Sequence, residues 1–382
     1  MNNQNELQTL IEELKSEIYR VYEGLHALAE PSAKEYKTSA YISNILVQNG
    51  INHERGVAET GIVAILDSGV PGPTLGIRAD LDGLIHSVDG KEKVMHTCGH
   101  DAHSTMVLFA GILLKEQNLL KKGRVKLIFQ PSEEDERTSG ARRMAKEGVV
   151  DDIDCLVGIH LRPIEEASFG QGIAALKHGA LTTIGARITG ESAHGGRPHL
   201  GKNPIDAMAA IVNSINAQWI DPKIPSSAKV TYINAGTIGA SSIPPEGTIV
   251  VDLRCQNNEE MEILIKKVTR AIETGAETVD CKAEIKVIPG LPAAVYDDGM
   301  IQMADSVLRR VLGDGASLGI IQTTGAEDFH EFTKHKPSLR TTYIGLGADL
   351  FPGLHHPDMT FRREALLKGI EILVRMAEEV LI

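Results

Sequence analysis

Three histidines, a cysteine and an aspartate fall within the nine residues MHTCGHDAH (95–103). A density of that kind suits metal binding. Cys98 and His100 are two apart, a spacing that points side chains to opposite sides of a helix but lets them converge on one ion from a turn or irregular loop. Taken alone, the segment also reads as a hydrogen-bonded structural loop. In FQPSEED (129–135) an apolar strand runs through Pro131 into Glu133, Glu134 and Asp135. Acidic runs are commonly solvated faces, but adjacent residues project differently, so Glu134 can ligate a cation while Glu133 faces the attacking water. GIH (158–160) puts His160 directly after a buried strand, and GLHHPD (353–358) adds His355 and His356 near the C-terminus. Singly, His160 reads more readily as a structural histidine than as a ligand, and the last segment has a surface loop as its alternative.

The elements around these pieces join them. Residues 4–29 repeat Leu7, Leu10, Ile11, Leu14, Ile18 and Val21 at helical spacing, and a second helix runs to Gly50. Strands are predicted at 61–68, 74–79, 124–130 and 154–159, with helices at about 101–120 and 138–147. This alternation predicts an α/β fold with a mostly parallel sheet. The first three chemical segments then lie beyond strand C-terminal ends or at a helix start, where parallel sheets form their ligand crevice. A binuclear metal site accounts for all four together. From 178 the order becomes strand, helix, strand, strand, helix, strand, with Asn203-Pro204 opening the first helix. That is the split βαβ, ferredoxin-like arrangement of a smaller α+β domain. The expected organisation is a discontinuous catalytic domain, 1–177 and 291–382, with 178–290 inserted.

The chain has 382 residues and a formal charge of −12, which opposes binding to a phosphate backbone, so no nucleic-acid partner is expected. No stretch approaches the roughly 18 apolar residues of a membrane span, and MNNQNELQTLIEELKSEI is charged throughout, so a cytoplasmic protein without a membrane partner is predicted. Cys98, Cys155, Cys255 and Cys281 are too scattered for a disulfide framework.

Seven segments, RADLDGL (78–84), MHTCGHDAHSTM (95–106), FQPSEE (129–134), GIH (158–160), SAHGGRPHLGKNPIDA (192–207), GAEDF (325–329) and LHHPDM (354–359), follow one another in an order that resembles the aminoacylase and carboxypeptidase-G-like binuclear metallopeptidases. The resemblance is to their amidohydrolase branch, with its auxin–amino-acid conjugate, hippurate and N-acyl-amino-acid hydrolases. It implies a zinc-peptidase-like catalytic domain and two divalent ions per subunit, manganese or zinc, with cobalt also accepted. It implies that Cys98, His100, Glu134, His160 and His355 hold the ions and that Glu133 is the general base. His194 of SAHGG matches the histidine that polarises the scissile carbonyl, often in the partner subunit, and a homodimer through the inserted domain is expected. Asp80, Asp82, Asp101 and His103 are read as supports, and His356 as a neighbour of the ligand. Arg254 of VDLRC could meet a substrate carboxylate or lie as a surface strand arginine. The chain departs from the family pattern at Ile85 and His86, where a proline is usual, and at Ser242, where asparagine is common. Both departures border the substrate region and bear on specificity.

The predicted function is hydrolysis of an amide bond in N-acyl amino acids or small peptides. An endopeptidase or a di- or aminopeptidase on longer peptides, and a catalytically silent metal- or peptide-binding protein, are the alternatives. The Glu133–Glu134 pair argues against a silent protein.

Overall fold

The computed structural model describes residues 3–323 and 325–381. The chain forms two compact units: one from residues up to Lys177 with Val295–Gln322 and Asp328 onward, the other from His178–Ala294 with Thr323–Glu327.

The first unit opens with α1 (Asn3–Glu13), α2 (Lys15–His26) and α3 (Tyr36–Gln48). The single helix predicted over 4–29 is divided at Leu14, where Glu17 N–H bonds Leu14 O at 2.9 Å and tightens one turn. Its apolar stripe survives the break, with Leu7, Ile11, Ile18 and Val21 all buried. There follow β1 (His53–Val57), β2 (Gly61–Asp67), β3 (Thr74–Asp80), β4 (Leu84–Val88), β5 (Lys91–Met95), α4 (His100–Glu116), β6 (Arg124–Gln130), α5 (Gly140–Lys146), β7 (Cys155–Pro163), β8 (Gly172–Ile173) and β9 (Ala175–His178). The sequence reading has no counterpart for β4 and β5. They form a two-residue hairpin turning at Asp89 and Gly90, both at positive φ, as a type I′ turn requires.

In the second unit lie β10 (Ala180–Thr189), β11 (Ala193–His194), α6 (Pro204–Asn216), β12 (Ser226–Ala235), β13 (Ser242–Ile243), β14 (Glu246–Cys255), α7 (Asn258–Glu277) and β15 (Lys282–Pro289). The chain then adds α8 (Asp298–Leu312), β16 (Ile320–Thr323), α9 (His330–His335), β17 (Arg340–Leu350) and α10 (Ala365–Val380).

The main sheet has the order β1-β2-β6-β3-β7-β17-β8. Its centre, β6, β3, β7 and β17, is parallel, while β1, β2 and β8 join antiparallel at the margins. All seven residues of β3 are buried, as expected for a parallel strand covered on both faces. Helix α4 is buried continuously from His100 to Leu114, which explains why its apolar pattern runs all round the helix. The second unit has a separate antiparallel sheet, order β12-β14-β10-β15, whose alternating burial leaves one face to α6 and α7. Ile184, Ile188, Ile211, Val251 and Ile272 fill that core. Asn203 caps α6, its side chain accepting from Ile205 N–H at 3.1 Å. The α/β class and the smaller α+β unit are those expected.

Candidate metal centre

Glu133 and Glu134 follow β6, and Cys98 and His100 follow β5 at the start of α4. His160 lies within β7, which runs on to Pro163 instead of ending before the histidine as expected. The three segments nevertheless bring their side chains together. Gly99 makes this possible for the first segment. Its φ of +86° ends the loop and starts α4 at His100, so Cys98 and His100 are no longer related by helical geometry. Ser132 does the same for the second segment, leaving β6 at φ +52° just ahead of Glu133 and Glu134. Gly140 is needed there as well, because a Cβ would stand 1.6 Å from Pro131 O.

Cys98, His100 and His160 offer ligand atoms within 4.8 Å of one another, and so do Cys98, Glu134 and His355. A third group is His100, Glu133 and Glu134. The first two triads share Cys98, so one sulfur faces both. Thus Cys98, His100, Glu133, Glu134, His160 and His355 all come together in the first unit. His355, also at positive φ, is anchored by its N–H to Thr97 O at 2.7 Å and brings Nε2 to 3.4 Å from Glu134 Oε1. His356 is exposed, with Nδ1 accepting from Asp358 N–H, and belongs to none of these groups.

The imidazoles of His160 and His100 each turn Nε2 towards the cluster. His160 Nδ1 lies 2.6 Å from Leu161 O and so donates, which leaves Nε2 unprotonated 3.5 Å from Cys98 Sγ. Burial, followed by His103 and Arg162, holds the His160 pKa well below the ordinary imidazole value and keeps the ring neutral. His100 places Nδ1 3.2 Å from Asp82 Oδ1, so its Nε2 faces the cluster. His103 looks like a further donor, but both nitrogens are engaged: Nδ1 with Asp80 at 2.8 Å and Nε2 accepting from Leu161 N–H at 3.0 Å. Its ring is tilted at 56° to that of His160, with centroids 4.4 Å apart, and buttresses it.

Two buried atoms test whether a cation belongs here. His100 Nε2 and Glu134 Oε1 make no hydrogen bond, although they lie only 3.7 Å apart. Buried polar atoms are rarely left so, and a shared ion satisfies both. A thiol, imidazoles and a carboxylate pair are a donor set for a divalent transition ion, so the residues fit the group. Without metal, the cluster holds protons instead. Burial opposes charge on His100, but Asp80 and its other neighbours outweigh it and raise the pKa well above the ordinary value. The neighbouring Cys98 sulfur and the Glu134 carboxylate, 3.4 Å from Nε2, raise His355 to about 10, and burial pushes the Cys98 thiol up.

The supports extend beyond those visible in the motifs. Buried Arg78 bonds Asp80 Oδ2 at 2.6 Å, Asp328 Oδ1 at 3.0 Å and Tyr343 Oη at 3.0 Å. Asp101 receives His26 Nδ1 at 2.6 Å. Asp82 accepts from Ser32 Oγ at 2.7 Å and from Glu134 N–H at 3.0 Å. Neither Ser32 nor His26 carries a sequence signal, because each acts through a contact far away along the chain.

His194 and Arg254 belong to the second unit. His194 is exposed, paired through β11 and β13 with Ser242, and borders a cavity of about 510 Å³ with Gly195, Lys202 and Asn203. Its Nδ1 accepts from Gly196 N–H at 3.0 Å. Arg254 lies half-exposed on β14 and pairs with Asp252 through Nε at 3.1 Å and Nη2 at 3.4 Å.

A buried cluster of metal-type ligands with an adjoining carboxylate, set at the end of a parallel sheet, defines the hydrolytic class of metal sites. The chain belongs to peptidase family M20/M25/M40, whose model matches residues 76–379, and with it to the hydrolases of amide bonds. It is 28% identical to an N-acetyl-L-cysteine deacetylase of Bacillus subtilis, over 99% of this chain and 93% of that protein. It is 30% identical to thermostable carboxypeptidase 2 of Saccharolobus solfataricus, over 89% and 88%. Its fold matches a dinuclear metal-binding peptidase of Bacillus subtilis with a TM-score of 0.82, at 24% identity over 97% of this chain and 99% of that one.

Proposed function

We propose that this protein hydrolyses the amide bond of N-acyl amino acids or short peptides, with Glu133 as general base. Cys98, His100, Glu134, His160 and His355 would hold two divalent ions, manganese or zinc by donor type, with cobalt as a substitute. The observation that carries this reading is the unpartnered pair His100 Nε2 and Glu134 Oε1, with Glu133 Oε2 only 3.8 Å from the same imidazole nitrogen. Bound there, the ions supply positive charge that polarises a carbonyl and acidifies water.

Glu133 takes a proton from the attacking water and returns it to the leaving nitrogen, so amide and water become carboxylic acid and amine. Glu133 and Glu134 divide the work because consecutive residues after the Ser132 turn point differently. His194 donates to the scissile carbonyl oxygen: with Nδ1 accepting from Gly196 N–H, the ring hydrogen sits on Nε2. Arg254 binds the substrate carboxylate, exchanging its Asp252 partner. The second unit, 178–290 with its flanking residues, acts as a lid and dimerises through a sheet edge. Among the described residues no helix is long and apolar enough to cross a membrane, and we assign the enzyme to the cytoplasm, without a membrane or nucleic-acid partner.

The test is incubation of protein loaded separately with manganese and zinc with N-acetyl, N-benzoyl and indole-acetyl amino acids and short peptides, following released amine by mass spectrometry. Release that disappears on chelation is expected. No release from any of them, with two ions confirmed bound, would overturn the reading.

A further inference from the structure

The segment Glu30–Glu35, between α2 and α3, carries none of the ligands, yet it reaches both carboxylate-bearing segments. Glu35 is fully buried, and its carboxylate accepts from Ala33 N–H at 3.0 Å, Thr60 Oγ at 2.6 Å and Ser132 N–H at 2.8 Å. The last bond spans 97 positions of sequence. Ser132 is itself pinned at every polar atom: its O accepts from Gly140 N–H at 2.9 Å, and its Oγ lies 2.6 Å from Thr138 Oγ1. These bonds hold a non-glycine residue at φ +52°, a conformation it would otherwise leave. Ser132 immediately precedes Glu133, so its dihedrals decide where the next two carboxylates point. From the same segment, Glu30 O receives Gly83 N–H at 2.8 Å and Ser32 Oγ donates to Asp82, which in turn accepts from Glu134 N–H.

We propose that Glu35 is a positioning residue: by accepting the Ser132 N–H it fixes the left-handed turn that aims Glu133 as base and Glu134 as ligand. The assignment rests on the proposed hydrolytic reading for its kinetic consequence, but its geometric consequence stands apart from any substrate. Removing the acceptor frees the Ser132 amide and lets residue 132 relax. Glu35→Gln keeps a carbonyl oxygen for the two N–H groups and leaves an amide facing Thr60 Oγ1, which can accept. Ser132→Gly removes the steric penalty of positive φ.

The experiment compares Glu35→Ala, Glu35→Gln and Glu35→Ala/Ser132→Gly with wild type in three readouts. They are manganese affinity by equilibrium dialysis, hydrogen exchange in the peptide carrying Ser132, and kcat and KM on the N-acyl amino acid the wild type turns over. For Glu35→Ala we expect manganese binding weakened about 10- to 100-fold, faster exchange at Ser132, and a similar fall in kcat with KM changed less than about threefold. Glu35→Gln should stay near wild type, and the double variant should recover most of the loss. Metal affinity and exchange unchanged in folded Glu35→Ala would overturn the proposal, and so would losses that Ser132→Gly does not relieve. If Glu35→Ala does not fold, wild-type affinity and exchange in Glu35→Gln would still support the proposal, and faster exchange at Ser132 there would overturn it. Should wild type turn over no substrate while the affinity and exchange effects appear, the hydrolytic reading fails and the positioning role stands.

Discussion

In the first unit His160 is almost wholly buried, with Nδ1 on Leu161 O, one face against His103 and Nε2 directed at Cys98. His194, in the second unit, is exposed, and its side chain meets a bond from Gly196 N–H while its backbone pairs with Ser242 and accepts from Arg197 N–H. Arg254 shows the same contrast with Arg78: one is half-exposed beside a single aspartate, the other is sealed among Asp80, Gln130, Asp328 and Tyr343. A group that must hold one geometry is surrounded by fixed partners, whereas a group that must meet an incoming molecule is left with few. Substitutions in the first unit should therefore change rate or metal content, and those in the second should act on the encounter with substrate.

The largest expected effect is at Glu133. Glu133→Ala should lower kcat by about a thousandfold while leaving metal stoichiometry, measured by elemental analysis, at the wild-type value. A variant that still turns over would remove Glu133 from the base role. His194→Ala comes next. It should lower kcat about a hundredfold, in the range of a lost carbonyl-oxygen donor, again with full metal content. A loss of metal in that variant would break the division between the two units.

Metal uptake should depend on pH in the first unit alone. The metal-free cluster carries protons on His100, on His355 with its pKa at about 10, and on the Cys98 thiol, and ligation must displace them. Since the loaded form holds fewer protons, raising the pH favours it. Apparent affinity should climb about tenfold per pH unit for each proton released, continuing towards pH 10. Chelator competition between pH 6 and 9 checks this, and a flat profile would contradict it. Arg254→Ala should raise KM about tenfold with kcat little changed, the loss expected for one charged hydrogen bond. Steady-state kinetics on substrates with and without a free carboxylate would separate binding from folding.

The smallest effect concerns stability. Burial, followed by Arg78, lowers the His330 pKa to about 3 from its ordinary 6.5. Between those values the unfolded chain binds a proton that the folded one does not, so this contribution is complete above pH 6.5 and is lost as pH falls towards 3. The slope from this residue is at most about 1.4 kcal/mol per pH unit. Urea titrations of metal-free wild type and His330→Phe at pH 7.5 and 5 should show a smaller difference in the variant.

The contrast also explains what the sequence made visible. Cys98, His100, Glu133 and Glu134 stand in short segments at strand or helix ends, His160 within β7 and His355 in the loop after β17, and in each segment local pattern and residue type coincide. Glu35 and Ser32 do not, because their partners are 97 and 50 positions away and neither residue is unusual where it stands. The β4–β5 hairpin was obscured for another reason. Asp89-Gly90 is a hairpin turn signal, but HSVDGKEKV is too polar to show a buried alternation, and the structure leaves much of it exposed. The antiparallel margins of the main sheet were equally hidden, since strand direction is not encoded in periodicity.

The place of β17 in the sheet bears on how the protein is made. It lies inside the sheet, between β7 and β8, yet it is translated after the whole of β10 to β15. On the ribosome the second unit is nearly complete while the first still exposes the open edge of β7, a template for pairing with other chains. His355 emerges only after β17, so the proposed metal cluster is incomplete until that strand has been made.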